Sequence, residues 1–257
     1  MSTVTVADTW NKRYLAARQK QGAEKRMWGN SPSYTAFLLI SELKEAAKET
    51  GGRLKVADVG CGYGRDAINY AQEGFEAKGI DIAAEALVLA REDYAALQKR
   101  EKIPGSAEFI KGTLRSAYAK KLGEKLDGIA SHRALHLMDE EDASDFAQCA
   151  AELLRPGGTL AIGARSIVDF KPDEMEWIPG KEGVTAQYID KETRGDHIMH
   201  FLTEERFRQL FGKDFEIVKF EDGCEQESTE KPNVQANLLF MLARRKGEPG
   251  PSGTGSN

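Results

Sequence analysis

The chain lacks most of the features that would tie it to a membrane, a disulfide framework or a nucleic acid. No stretch approaches the roughly 18 consecutive apolar residues of a membrane-spanning helix. The start Met1-Ser-Thr-Val-Thr-Val-Ala-Asp has neither the basic opening nor the apolar centre of an export signal, so a soluble cytoplasmic protein with no membrane partner is expected. Cysteine is scarce. Cys61, Cys149 and Cys224 form an odd set without paired spacing, which fits neither a zinc site nor a cross-linked scaffold and suggests a reducing compartment. Basic residues are in deficit, 36 Lys and Arg against 41 Asp and Glu, and the net charge of −5 speaks against a nucleic-acid surface.

What remains is a chain of 257 residues, 40% hydrophobic and 30% charged, long enough for one large domain with a true core. Residues 247–257, Gly-Glu-Pro-Gly-Pro-Ser-Gly-Thr-Gly-Ser-Asn, have no apolar group to bury and read as a disordered tail. Strand patterns at 54–59, 76–81, 107–111, 126–131 and 158–164 alternate with helical patterns at 66–73, 84–101, 113–121 and 139–154. Such alternation builds a parallel sheet covered by helices on both faces.

Beyond residue 165 the alternation stops. Residues 166–200 read as an insertion on the substrate side, with short strands near 185–189 and 197–201. A helix at 203–211, capped by Thr203, restores order. Two strands, 215–220 and 236–243, then flank a polar loop at 221–233 and must be antiparallel neighbours. The expected fold is α/β, a doubly wound, seven-stranded and mostly parallel sheet with an antiparallel last strand. Residues 54–246 form the domain, and 1–53 an N-terminal helical lid whose second helix, 34–49, is capped by Ser31 or Ser33. Tyr14, Trp28 and Tyr34 either anchor the core or cover the site.

The chain is organised around Leu54-Lys-Val-Ala-Asp-Val-Gly-Cys-Gly-Tyr-Gly-Arg65, where a strand turns through three glycines into a helix. A phosphate-binding loop would need Lys-Ser/Thr after the last glycine, and none is present. A dinucleotide fingerprint would place the third glycine one residue later, and would not put Arg65 where a small residue permits close helix packing. A third reading starts from Asp58 and Asp81 at the tips of the first two strands. The second suits a pair of ribose hydroxyls; the first would repel a pyrophosphate yet suits an ammonium and a sulfonium.

Asp58-Val-Gly-Cys-Gly-Tyr-Gly-Arg65, with Gly79-Ile-Asp81 and Leu154-Arg-Pro-Gly-Gly-Thr-Leu160, resembles the class I S-adenosylmethionine-dependent methyltransferases, in particular small-molecule enzymes similar to the tellurite-resistance and thiopurine methyltransferase groups. The resemblance implies S-adenosylmethionine as methyl donor and S-adenosylhomocysteine as product. It places Gly60, Gly62 and Gly64 along the methionine moiety, Asp81 on the ribose and Ile82 on the adenine. Asp58, Cys61, Tyr63, Arg65 and Ser131 complete the cofactor site. Where the family commonly has an acid facing the adenine amino group, this chain reads Lys111-Gly-Thr-Leu114, which leaves Thr113 or the Leu114 backbone for that contact.

Methyl transfer requires a nucleophile held in line with the methyl group and, for some acceptors, a base. The candidates are the chain's four histidines, His132 and His136 after the fourth strand, and His197 and His200 in the insertion. The spacing of His132 and His136 lacks a third metal ligand, so no metal is expected. Arg165, just past the fifth strand, is placed to grip a carboxylate or phosphate; Trp177, Tyr14 and Trp28 are further candidate substrate contacts. The Pro-Pro-Tyr/Phe motif used for methylating base or glutamine amino groups is absent after the fourth strand, where Ser131-His-Arg-Ala134 stands. The acceptor is therefore expected to be a small molecule with an O, N or S nucleophile. The alternative is a methyltransferase-like protein that binds the donor for another reaction or for regulation.

Overall fold

The computed structural model describes residues 5–20, 29–50, 53–118, 125–189, 198–228 and 231–247. Two helices, α1 (Val6–Lys20) and α2 (Tyr34–Thr50), precede the sheet. The α2 start follows from its cap: Ser33 Oγ accepts from the Ala36 amide at 3.0 Å, satisfying one of the unpaired donors of the first turn.

The alternating segment then runs β1 (Lys55–Val59), α3 (Arg65–Gln72), β2 (Glu76–Asp81), α4 (Ala84–Arg100), β3 (Ser106–Lys111), α5 (Leu114–Tyr118), β4 (Leu126–His132), α6 (Glu140–Leu153) and β5 (Leu154–Arg165). Three short strands, β6 (Met175–Trp177), β7 (Thr185–Tyr188) and β8 (Ile198–His200), form a separate antiparallel sheet. The chain closes with α7 (Glu204–Phe211), β9 (Phe215–Ser228) and β10 (Lys231–Arg245). Thr203 caps α7 as its sequence suggests, accepting from the Arg206 amide at 3.2 Å.

The main sheet has the order β3-β2-β1-β4-β5-β10-β9. Its first five strands are parallel, and β10 runs antiparallel to both of its neighbours. This is the doubly wound α/β fold. Leu39 and Leu43 of α2, Tyr70 of α3 and Leu87 of α4 pack on one face, and Phe146 of α6 with Phe207 and Phe211 of α7 on the other. Strand order reverses between β1 and β4, so the crevice for a ligand opens at their carboxyl ends. Among the described residues no helix is long and apolar enough to cross a membrane.

Two expectations need correction. Residues 221–233 are not simply a loop, because both strands of the last hairpin extend into them, with Glu225 opposite Ala236 and Glu221 opposite Phe240. The ladder depends on backbone hydrogen bonds, which polar side chains do not interrupt; Asp222, Cys224 and Gln226 face solvent there and Glu221, Gly223 and Glu225 are only half-buried. Likewise β5 begins at Leu154, before the Pro156-Gly-Gly turn, and accommodates it as an irregularity in register against β4.

Ser33 also joins the N-terminal segment to the sheet. Its amide and hydroxyl donate to the two oxygens of buried Asp66 on α3 at 2.9 and 2.6 Å. Ser33→Ala should therefore lose a cap and a charge-assisted hydrogen bond together, lowering unfolding free energy by about 2 kcal/mol. Denaturant titration checks this, and a loss below about 0.5 kcal/mol would show that the link carries little stability.

Candidate active site

The glycine loop owes its shape to three left-handed residues, Gly60, Gly62 and Gly64, with φ of 75°, 55° and 80°. Space reinforces this requirement. A Cβ on Gly62 would lie 2.5 Å from the Tyr14 hydroxyl, and one on Gly64 2.6 Å from the Phe109 ring. The loop amides turn towards the protein. Gly60 N and Cys61 N donate to the Ile80 carbonyl at 2.8 and 3.1 Å, and Gly62 N to Asp81 Oδ2 at 2.8 Å. A pyrophosphate site needs such amides to point at the ligand, so this loop is not built as one.

Asp81 also accepts from the Ala83 amide through Oδ1 at 2.8 Å. Burial raises its pKa, against the pull of the Ala83, Gly62 and Ile82 amides. The carboxylate keeps acceptor capacity beyond these amides, and the residue lines the cavity described below. Asp58 is deeper and only 2% exposed; its Oδ2 accepts from the Ala67 amide at 3.1 Å. Burial, then the neighbouring Asp66, pushes its pKa well up, so a cationic ligand group would be welcome beside it. Arg65 pairs with Asp66 at 3.2 Å.

A cavity of about 530 Å³ lies over these groups. Of the expected cofactor residues, Asp58, Gly60, Cys61, Gly62, Tyr63 and Arg65 line it from the loop, and Asp81, Ile82, Thr113 and Leu114 from the next two strand ends. Ile82 is 37% exposed there, an apolar surface available to a flat ring. Two expected residues do not line it. Gly64 sits beneath the loop as the residue before α3, packed against Phe109 and Ala90. Ser131 is fully buried in β4, with its hydroxyl unpaired among the described residues. Thr113 lines the cavity, but it engages Ser116: its amide donates to Ser116 Oγ at 2.9 Å and its hydroxyl accepts from Ser116 N at 3.3 Å.

At the other end, β4 delivers His132. Its Nδ1 meets Thr35 Oγ1 at 2.9 Å, its Nε2 lies 3.0 Å from Glu225 Oε2, and the residue lines the cavity. Glu225 Oε1 accepts from the Tyr34 amide at 3.1 Å. Burial drives the Glu225 carboxyl up, but the hydrogen bond and charge of His132, the Tyr34 amide and Arg65 outweigh it and bring the value to about 2. His136 also lines the cavity and is 4% exposed. Burial, then the charges of Arg165 and Arg133, holds its pKa well below the ordinary imidazole value. It is neutral, and its Nδ1 accepts from the Arg165 amide at 3.4 Å.

Arg165 lines the cavity with its guanidinium tied by Nη1 to Asp169, which in turn accepts from the amide and side chain of Asn237 at 2.9 and 2.7 Å. Tyr14, 5% exposed on α1, faces the cavity over Gly62. Tyr34 does not cover the site; it packs edge-on against Phe240 at 4.9 Å. Trp177 is likewise placed away from the cavity lining, stacked on Phe170 at 3.9 Å in the core of the small sheet. His200 is drawn off as well: Nδ1 meets Thr185 Oγ1 at 3.1 Å, and from the small sheet Tyr188 and Met199 reach the cavity instead. Trp28 and His197 lie outside the described residues.

Thr35, Glu225 and Arg133 were not among the residues singled out in the sequence. Arg133 was in view beside His132, and its distinguishing mark is a φ of 57° in a residue with a side chain, which no sequence pattern shows. Among the described residues no group of three or more His, Cys, Asp and Glu side chains could hold a metal ion.

Residues 56–158 match the model of a family described as a methyltransferase domain. No curated protein sequence matches the chain. Among solved structures, the chain is similar to a SAM-dependent methyltransferase from Methanosarcina mazei, at 24% identity over 76% of this chain and 94% of that one, with a TM-score of 0.60. It is also similar to 1,6-didemethyltoxoflavin-N1-methyltransferase from Burkholderia thailandensis, with 1,6-didemethyltoxoflavin and S-adenosylhomocysteine bound, at 15% identity over 96% and 93% of the chains and a TM-score of 0.57. A third is magnesium protoporphyrin IX methyltransferase from Synechocystis PCC 6803 with bound SAM, at 17% identity over 94% and 95% and a TM-score of 0.56. The fold is that of the S-adenosylmethionine-dependent methyltransferases.

The depressed Glu225 value has a consequence for stability. Its folded pKa of about 2 lies below the ordinary 4.5, so its contribution is complete above about pH 4.5 and is lost as pH falls towards 2. Glu225→Gln should flatten that part of the acid limb in Tm measured against pH; an unchanged limb would remove Glu225 from the balance.

Proposed function

We propose that this protein is an S-adenosylmethionine-dependent methyltransferase whose acceptor is a small molecule with an O, N or S nucleophile. The observation that carries the reading is the pair of strand-tip carboxylates, Asp58 and Asp81, on either side of a glycine loop whose first amides are turned away from the cavity. That arrangement disfavours a phosphate and favours a ligand with a diol at one end and cationic groups at the other.

Bound there, S-adenosylmethionine supplies a methyl group activated by its sulfonium. Asp81 receives the ribose hydroxyls on its remaining lone pairs. Ile82 and Leu114 flank the adenine, and with Thr113 committed to Ser116, polar recognition of that ring falls to the Leu114 backbone. Gly60 and Gly62 leave room for the methionine portion, whose ammonium is drawn to buried Asp58.

The acceptor enters between the tips of β4 and β5 and the small sheet. His132, with Thr35 on Nδ1 and the Glu225 carboxylate beside Nε2, is one imidazole on the cavity wall at the β4 tip. His136 is the better placed imidazole: neutral, with Nδ1 accepting from Arg165 N, it carries its proton on Nε2. The helix α1, through Tyr14, forms the cover, and the small sheet the acceptor wall, with Tyr188 and Met199 in place of Trp177.

Several facts support a small-molecule partner over a nucleic acid: the net charge of −5, the absent Pro-Pro-Tyr/Phe motif and the 1,6-didemethyltoxoflavin bound to the N1-methyltransferase of like fold. Free Cys61, Cys149 and Cys224 suit a reducing, cytoplasmic setting.

Calorimetry with S-adenosylmethionine should show binding to the unaltered chain and a loss of about a hundredfold for Asp81→Ala, the scale of a buried carboxylate's charge-assisted pair of hydrogen bonds. Equal affinity in the two would sink the ribose assignment. Release of S-adenosylhomocysteine with a panel of acceptors separates methyl transfer from donor binding alone.

A further inference from the structure

The two N-terminal helices are attached to the domain in very different ways. Helix α2 buries Leu38, Leu39, Ile40 and Leu43 in the core on one face of the sheet. Among its described residues, α1 buries only Tyr14, and Tyr14 belongs to a small cluster with Tyr63, Ala83, Ala86 and Leu89, separate from both main cores, with Trp10 packed against it. Val6 and Leu15 of α1 are each 43% exposed.

The polar fastenings of α1 to the domain, among the described residues, are at the surface. Asn11 Oδ1 accepts from the Glu85 amide at 3.1 Å. Arg18 pairs with Glu92 at 2.5 Å and lies 3.9 Å from Glu85, all three side chains being between 32% and 47% exposed. Ion pairs this exposed contribute little each, and an element with few buried apolar contacts opens at low cost. The helix also carries its own start. Thr5 N donates to Asp8 Oδ2 at 3.0 Å and Asp8 N to Thr5 Oγ1 at 3.2 Å, a reciprocal cap that closes the first turn with the helix's own side chains and lets it move as a unit.

This loosely held helix stands over the site. Val6, Trp10, Arg13, Tyr14 and Ala17, at the spacing of one helix face, all line the cavity. Tyr14 makes the contact with the glycine loop: a Cβ on Gly62 would come within 2.5 Å of its hydroxyl. Burial, then the charge of Asp81, raises the Tyr14 pKa well above the ordinary value, which places the hydroxyl at the donor end.

We infer that α1 is a gate over the donor: it lifts from the glycine loop to admit S-adenosylmethionine, shuts on it through Tyr14, and opens again before S-adenosylhomocysteine leaves. Arg18, between Glu85 and Glu92, is its latch. A gate of this kind keeps water from the bound sulfonium and makes product release wait on its opening. The inference rests on the donor-binding reading of the cavity.

Hydrogen exchange on the full chain, followed by mass spectrometry, tests the gate without ligand. Amides of α1 should exchange about a hundredfold or more faster than those in the middle of α2. Arg18→Glu, which sets a third carboxylate beside Glu85 and Glu92, should speed α1 exchange further with α2 exchange and Tm unchanged. Bound S-adenosylhomocysteine should slow α1 exchange, and in stopped flow it should leave the Arg18→Glu protein about threefold or more faster than the unaltered chain, a difference that adding Glu92→Arg largely reverses. Equal protection of α1 and α2, or release and exchange that ignore Arg18→Glu, would overturn the inference. Failure of S-adenosylhomocysteine to bind is a separate outcome that defeats the methyltransferase reading, because the α1 and Arg18→Glu exchange contrasts are read without it.

Discussion

The site depends on how the glycine loop is fastened to the tip of β2. Gly60 and Cys61 donate to Ile80, and Gly62 donates to Asp81, so three successive amides of the loop end in the neighbouring strand. Those bonds hold the loop in a left-handed path that only glycine takes without cost. They also decide the ligand class. With its amides turned inward, the loop loses the positive lining that an anion would need, and the nearby Asp58 and Asp81 set carboxyl groups at that end of the cavity.

A second network ties the opposite end together from distant parts of the chain. Ser33 and Thr35 come from the start of α2, Asp66 from α3, His132 from β4 and Glu225 from the last hairpin. Each buried polar group in this set finds a partner in another element, which is the condition for burying it at all. The arrangement sets His132, the histidine nearest the strand end, against two distant elements. It also explains why α2, which packs on β4 and β5, is registered against the site and not merely against the core.

Legibility in the sequence followed the physics of each segment. The β1 to β5 alternation was readable because each buried strand is an apolar run bounded by turns, and the α2 and α7 caps because Ser33 and Thr203 precede helical patterns. Most of the lining at the glycine-loop end of the cavity was readable too, since those residues lie within one loop and the strand tips beside it, though not the displacement of Gly64 and Ser131. The outer part of the hairpin was not, as its pairing rests on backbone bonds and its residues are polar. Trp177 and Tyr34 look like ligand-facing aromatics in a sequence, yet both found apolar neighbours, Phe170 and Phe240, in which burial is more favourable than exposure at a cavity edge.

By itself, then, the sequence determined the layered α/β architecture, the glycine loop and the two strand-tip acids, because periodicity and local turn chemistry act over a few residues. Tertiary structure alone decided that His132 and His136 line the cavity while His200 is drawn to Thr185, and that Glu225 stands beside His132. These are encounters between residues tens of positions apart along the chain, as in His132 and Glu225, which are 93 positions apart in sequence and 3.0 Å apart in space. Their meeting is set by strand order and register, which no local pattern encodes.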